Sequence, residues 1–180
     1  MDLINSFAIV AYLAGPVAPF VNRLREDLAP GTGQNAHITI LPPRPLDCPV
    51  SEAVEFARQR LASLEPLEVR LGAVEVFDGT QVIHISVAEG AAELVAWHDL
   101  LNGGCFEQTE MFDYAPHVTL AQQLPPESVG RCRELSQRRW QEFAPAPRMR
   151  IETLTLVEQR GDGGWEDLAE LALGRVAAVS

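Results

Sequence analysis

The sequence predicts an α+β fold of two pseudo-symmetric lobes, with antiparallel sheets lining a central cleft and helices outside, in one domain over residues 1–180. Three observations carry this. Strand-like and helix-like segments follow one another as strand, helix, strand, helix, hairpin, helix, strand, helix, hairpin. The hairpins close on Asp78-Gly79 and on Gly161-Asp162-Gly163-Gly164, the turn chemistry that antiparallel neighbours need. One pattern, His-x-Thr-apolar, occurs twice, at His37-Ile38-Thr39-Ile40 and His117-Val118-Thr119-Leu120. Each copy is followed by a Pro-Pro pair and a helix, about half a chain apart, the period that a duplication leaves.

The elements justify themselves in order. Ser6 to Leu13 is an apolar run of strand length stopped by Gly15-Pro16. Val17, Phe20, Val21, Leu24 and Leu28 then recur at helical spacing as one apolar stripe, with Arg23, Glu26 and Asp27 elsewhere. The first His-x-Thr strand follows, and Pro42-Pro43 with Pro45 is expected to stop it, because proline cannot donate to a ladder. Ser51 reads as the N-cap of a helix lined by Val54, Ala57, Leu61 and Leu64. Leu67 to Phe77 and Thr80 to Val87 form the first hairpin, and Ala91 to Leu101 a third helix burying Leu94, Trp97, His98 and Leu101. After the second His-x-Thr strand, a helix runs from Pro125-Pro126-Glu127 to about Trp140. The last hairpin has arms Met149 to Gln159 and Trp165 to Leu173.

Composition narrows the function. A formal charge of −11, from 25 acidic and 14 basic residues, opposes binding to long nucleic acid, which draws on phosphate neutralisation by Lys and Arg. Arg131, Arg133, Arg138 and Arg139 share one helix and read as a solvated face. No apolar run approaches the roughly 20 residues that span a bilayer, so no membrane partner is expected. The N-terminus lacks the basic region of a signal peptide. Three cysteines, Cys48, Cys105 and Cys132, without Cys-x-x-Cys spacing, argue against a disulfide framework and against zinc, and favour a cytoplasmic protein. The sequence sets no oligomeric state.

The repeated motif carries the chemistry. Along a strand, His and Thr point to one face and the intervening apolar residues to the other. Two such strands facing one cavity bring together two imidazoles and two hydroxyls. Imidazole titrates near neutrality, so one ring can accept a proton while the other donates one. Thr39 and Thr119 can donate to the non-bridging oxygens of a phosphoryl group. No third ligand accompanies the histidines in a metal-binding spacing, so neither metal nor cofactor is expected. His84 shares a strand face with Ser86 and is a further cleft candidate, whereas His98 lies on a buried helix stripe. Phe77 and Tyr114 are candidates for a wall against which a base would stack. Arg44, just beyond the first motif, reads first as a solvated loop residue and second as a phosphate contact.

The paired motifs resemble the signature of the 2H phosphoesterase superfamily, the 2′-5′ RNA ligase-like and cyclic phosphodiesterase proteins, and the order of elements extends the resemblance over nearly the whole chain. The resemblance implies a two-lobed fold and metal-independent hydrolysis of a 2′,3′-cyclic or 2′-5′-linked nucleotide-type phosphodiester. It makes His37 and His117 the acid–base pair, with Thr39 and Thr119 holding phosphate. RNA-acting relatives often carry a basic residue shortly after the second motif; this chain has Gln122 there, which donates a hydrogen bond without charge. Two other readings of the same fold are a catalytically silent module that binds a nucleotide or phosphometabolite, and an RNA 2′-5′ ligase or processing enzyme.

Overall fold

The computed structural model describes residues 3–31 and 35–174. Its elements are β1 (Leu3–Tyr12), α1 (Val17–Leu28), β2 (His37–Arg44), α2 (Val50–Leu61), β3 (Leu67–Val76), β4 (Ile83–Glu89), α3 (Ala91–Leu101), a 3-10 turn (Gly104–Phe106), β5 (His117–Ala121), α4 (Pro126–Gln141), β6 (Arg148–Ile151), β7 (Thr153–Arg160) and β8 (Trp165–Ala172). α1 and α3 have the expected bounds. In α1 the stripe Val17, Val21, Leu24 and Leu28 is buried, and Arg25 is buried with it. α2 starts at Val50, one residue before Ser51, with Pro49 at the N-cap and no side-chain cap, so Ser51 lies inside the helix and does not cap it.

The eight strands form one curled antiparallel sheet in the order β6-β3-β4-β5-β2-β1-β7-β8. Two four-stranded lobes meet where β2 and β5 pair at Ile38 and Val118. Ile38, Ile40, Val118 and Leu120 are essentially inaccessible and join the core beneath the helices, with Val21, Leu24, Leu94 and Leu101. Alternation then turns His37, Thr39, His117 and Thr119 to the opposite, concave face.

Three departures from the expected elements have local causes. β2 continues through Pro42 and Pro43 to Arg44. Beyond Ile40 it pairs only with β1, across a bulge between Phe7 and Ile9, so the missing proline N–H groups cost no ladder bond on the other side. The expected arm Met149 to Gln159 is two strands. β6 pairs with β3 at one edge of the sheet, and β7 pairs with β1 in the other lobe. The burial pattern changes there: β6 buries alternate residues, Met149 and Ile151, whereas β7 buries Leu154, Thr155, Leu156 and Val157 in succession, with Glu152 exposed between the strands. Finally, each hairpin serves the other half's motif strand. β4 of the first hairpin pairs with β5, while β1 lies between β2 and the second hairpin.

The cysteine expectation is overturned. Cys48 and Cys105 form a disulfide with a Cα separation of 5.8 Å, inside the usual range, and Cys132 is the free thiol. Spacing in sequence hid the pair because the contact is made by the fold, between the loop before α2 and the 3-10 turn. With that bridge, the cysteine count no longer argues for a reducing compartment. Among the described residues no helix is long and apolar enough to cross a membrane.

Candidate functional site

Sheet register assembles the site row by row. Tyr12 stands beside His37 and Val10 beside Thr39. Ser86 stands beside His117 and His84 beside Thr119. The antiparallel pairing of Ile38 with Val118 places His37 across from Thr119, and Thr39 across from His117. The two histidines are therefore diagonal neighbours, roughly 7–8 Å apart in ordinary sheet geometry and somewhat closer between Cβ atoms.

Both rings are held in the same way. His37 Nδ1 donates to the Asn35 carbonyl at 2.8 Å, and His117 Nδ1 donates to the Ala115 carbonyl at 2.7 Å, each two residues upstream. A carbonyl only accepts, so the proton sits on Nδ1 of each neutral ring and Nε2 is left to exchange protons. Burial lowers the pKa of both rings, and the charges of Arg25 and of His117 lower that of His37 further. Charging one imidazole thus discourages charging the other, so the pair passes through a singly protonated state.

The concave face carries a cavity of about 930 Å³ lined by His37, Thr39, Thr119 and Gln122 at one end. The cavity extends over β1, β7 and β8 to Tyr12, Trp165 and Asp167. Its floor is a separate apolar patch of Ala8, Val10 and Val157 with Tyr12 and Trp165 packed against it. Tyr12 Oη donates to Asp167 at 2.5 Å, and burial together with that carboxylate raises the phenol's pKa, so it stays protonated. His117, His84 and Phe77 are not among the residues lining this cavity; their rings pack against one another beside it. Phe77 stacks on His84 with centroids 3.8 Å apart and meets His117 edge-on at 4.8 Å. His84 is 3% exposed and lies 5.3 Å from His117, and burial first, then the charge of His117, lowers its pKa.

The remaining sequence candidates fall elsewhere. Arg44 is neither solvated nor at the cavity: it is 2% exposed, pairs with Glu110 and donates to Asn102 Oδ1 and the Phe106 carbonyl. It lies at the end of β2 beyond the bulge, where α3 and the following turn cover it. Tyr114 is no base-stacking wall. It stacks on His98, centroids 4.3 Å apart, and its hydroxyl donates to the Thr39 carbonyl at 2.7 Å. His98 is buried and bonded to Glu110, as its helix stripe implied. Arg131, Arg133 and Arg138 are exposed, the solvated face expected of them. Reading the sequence missed Tyr12, Trp165 and Arg25. Arg25 had a visible signal, a charge four residues after Val21 on the apolar stripe; the other two are brought to the cavity only by the sheet. No three His, Cys, Asp or Glu side chains gather as a metal-holding group among the described residues.

A curled antiparallel sheet with two His-x-Thr strands paired at its centre defines the 2H phosphoesterase class. Residues 14–163 match the model of the 2′-5′ RNA ligase superfamily, and the chain belongs to that superfamily. Solved structures share the fold. Escherichia coli LigT complexed with 3′-AMP superposes with a TM-score of 0.64 at 16% identity, covering 95% of this chain and 99% of LigT. LigT complexed with NADP+ gives 0.65 at 15% identity, covering 97% and 100%. Kluyveromyces marxianus Usb1 gives 0.54 at 13% identity, covering 94% and 98%. No curated protein sequence matches the chain.

Proposed function

We propose that this protein is a metal-independent phosphodiesterase that hydrolyses a 2′,3′-cyclic or 2′-5′-linked nucleotide-type phosphodiester, working as one bilobal unit. The observation that carries the reading is the matched pair of imidazoles on neighbouring strands, each with Nδ1 tied to a backbone carbonyl and Nε2 left for proton exchange. One ring takes a proton from water as its oxygen forms a bond to phosphorus. The other gives a proton to the ribose oxygen as its bond to phosphorus breaks, and a cyclic substrate ends as a 2′- or 3′-monophosphate. Thr39 and Thr119, opposite the two histidines in register, donate to the non-bridging oxygens, where negative charge concentrates. Tyr12 and Trp165 over the apolar floor give a base an aromatic surface, and LigT, which shares the fold, is known in complexes with 3′-AMP, NADP+ and ATP.

The test is hydrolysis of 2′,3′-cyclic nucleotides in EDTA by wild type, His37→Ala and His117→Ala. Turnover by wild type and a loss of ~10²–10⁴-fold in each variant is the expected result. Turnover that requires added metal, or that survives both substitutions, refutes the acid–base reading. An inert wild type whose melting temperature is raised by nucleotides identifies a binding module instead.

A further inference from the structure

At the end away from the histidines, the candidate cavity meets a carboxylate. Tyr12 stands in register beside His37, with ring centroids 6.1 Å apart, and its hydroxyl donates to Asp167. Ala8 of β1, Val157 of β7 and Asp167 of β8 form one row across the sheet, because Ala8 pairs with Val157 and Val157 with Asp167. Tyr12 thus links the row of the first histidine to a negative group, over an apolar floor of Ala8, Val10 and Val157 against which Trp165 also packs.

Among the described residues three carboxylates line this end, and their partners differ. Glu166 is paired with Arg160, 2.8 Å away on the same hairpin. Asp162 accepts from the Gly164 amide within the turn. Asp167 is met by an uncharged hydroxyl that comes from β1, across the floor. An ionised carboxylate accepts at about four lone-pair positions, and Tyr12 uses one of them. Asp167 is therefore a planar acceptor pair, oriented by Tyr12, at the edge of a surface fit for a flat ring.

We propose that Asp167 reads the base of the substrate and selects guanine. The proposal rests on the phosphodiesterase reading, which puts the phosphoryl group at the His-x-Thr strands and so the base over the floor. Guanine presents N1–H and its N2 amine side by side, two parallel donors that match the two oxygens of a carboxylate. Adenine and cytosine each present one amine next to a ring nitrogen that accepts. One oxygen of Asp167 then gains a bond while the other faces a lone pair. Uracil presents one N–H between two carbonyl oxygens, and the carboxylate repels both. Asp167 touches the base and not the reacting atoms, so its role is specificity; Tyr12 acts through it as a positioning residue.

The experiment titrates 3′-GMP, 3′-AMP, 3′-CMP and 3′-UMP into wild type, Asp167→Asn and Tyr12→Phe, and measures hydrolysis of the four 2′,3′-cyclic nucleotides. Guanine and adenine are both purines and stack alike, so their difference isolates the edge of the base. Wild type should bind 3′-GMP about 10-fold more tightly than 3′-AMP, the lower end of the range for hydrogen bonds to a charged group, because the exposed carboxylate exchanges water for the base. 3′-UMP should bind weakest. The same order should appear in kcat/KM and be carried by KM, with kcat little changed. Asp167→Asn keeps an oxygen for Tyr12 but turns the other acceptor into a donor, and should abolish the preference for guanine over adenine. Tyr12→Phe keeps the ring and should reduce that preference in part. Equal affinity of wild type for 3′-GMP and 3′-AMP overturns the proposal whether or not the variants fold. A guanine preference that survives in Asp167→Asn overturns it too, as does an equal loss of all four nucleotides, which would assign the carboxylate to the ribose or to the fold. A wild type that prefers 3′-GMP through Asp167 but leaves every cyclic ester intact supports the proposal and sinks the catalytic reading. Hydrolysis of all four at one kcat/KM does the reverse.

Discussion

Cutting the Cys48–Cys105 disulfide should destabilise the protein mainly through its unfolded state. The bridge closes a loop of 57 residues that contains α2, β3, β4 and α3. In the chain-entropy model a loop of that length removes roughly 14 cal/mol/K from the unfolded ensemble, or about 4 kcal/mol at 25 °C. Domain stabilities are about 5–15 kcal/mol, so this is a large share of the total. Arg44, bonded to Asn102 and the Phe106 carbonyl, still holds the 3-10 turn once the bridge is gone, so the native contacts should survive. The assay is urea unfolding of the oxidised protein, the reduced protein and Cys105→Ser, with the thiol count taken first. The expected count is one free thiol in the oxidised protein, Cys132. The midpoint should drop in both uncrosslinked forms by an amount equivalent to about 4 kcal/mol, and the m-value should rise, because the unlinked unfolded chain exposes more surface. Coincident midpoints in all three samples would refute the reasoning, as would three reactive thiols in the unreduced native protein.

Acid should destabilise the fold. His37, His84 and His117 all have folded pKa values below the ordinary imidazole value, with burial the largest cause in each. Their neutral forms are therefore favoured in the fold. This contribution is fully present above the unfolded pKa of about 6.5 and is lost as pH falls through that value toward the folded ones, which urea midpoints across a pH series will show. Trp165→Ala should raise KM for a cyclic nucleotide by roughly 5- to 100-fold, the value of one base–aromatic stack, with less change in kcat; steady-state kinetics check it. Ile38→Ala, at the inaccessible junction of the lobes, should cost about 2–5 kcal/mol in denaturant unfolding.

What the sequence made legible was local. The helical stripe of α1, the bounds of α3 and the turn at Asp78-Gly79 each concern residues within a few positions of one another; the first two match the structure, while the turn belongs to a longer loop, closed by Phe77 and Val82, so that β4 begins at Ile83 and not at Thr80. The alternation in His37-Ile38-Thr39-Ile40 likewise separated concave-face groups from core groups before any strand was paired. What escaped depends on contacts between distant segments. Tyr12 and Trp165 share one apolar patch only because β7 lies between β1 and β8, and the cysteine bridge exists only because the turn after α3 meets the loop before α2. Pro42 and Pro43 broke a rule whose force depends on a partner strand, and β5 is too short to be one there. Arg25 was legible but overlooked, since a stripe was sought among apolar residues alone. Arg44 was misjudged because proline neighbours suggested solvent, whereas Glu110, 66 positions later, folds back to neutralise it.

The exchange of hairpins between the motif strands makes the molecule interlocked. A chain cut between β4 and α3 leaves the first histidine without β7 and β8 in its lobe, and leaves β5 without the β4 edge it pairs with. Neither half holds a complete lobe. The same arrangement gives the protein a high share of contacts between distant residues, which slows folding. A nascent chain accordingly completes its histidine pair only after β5 has emerged.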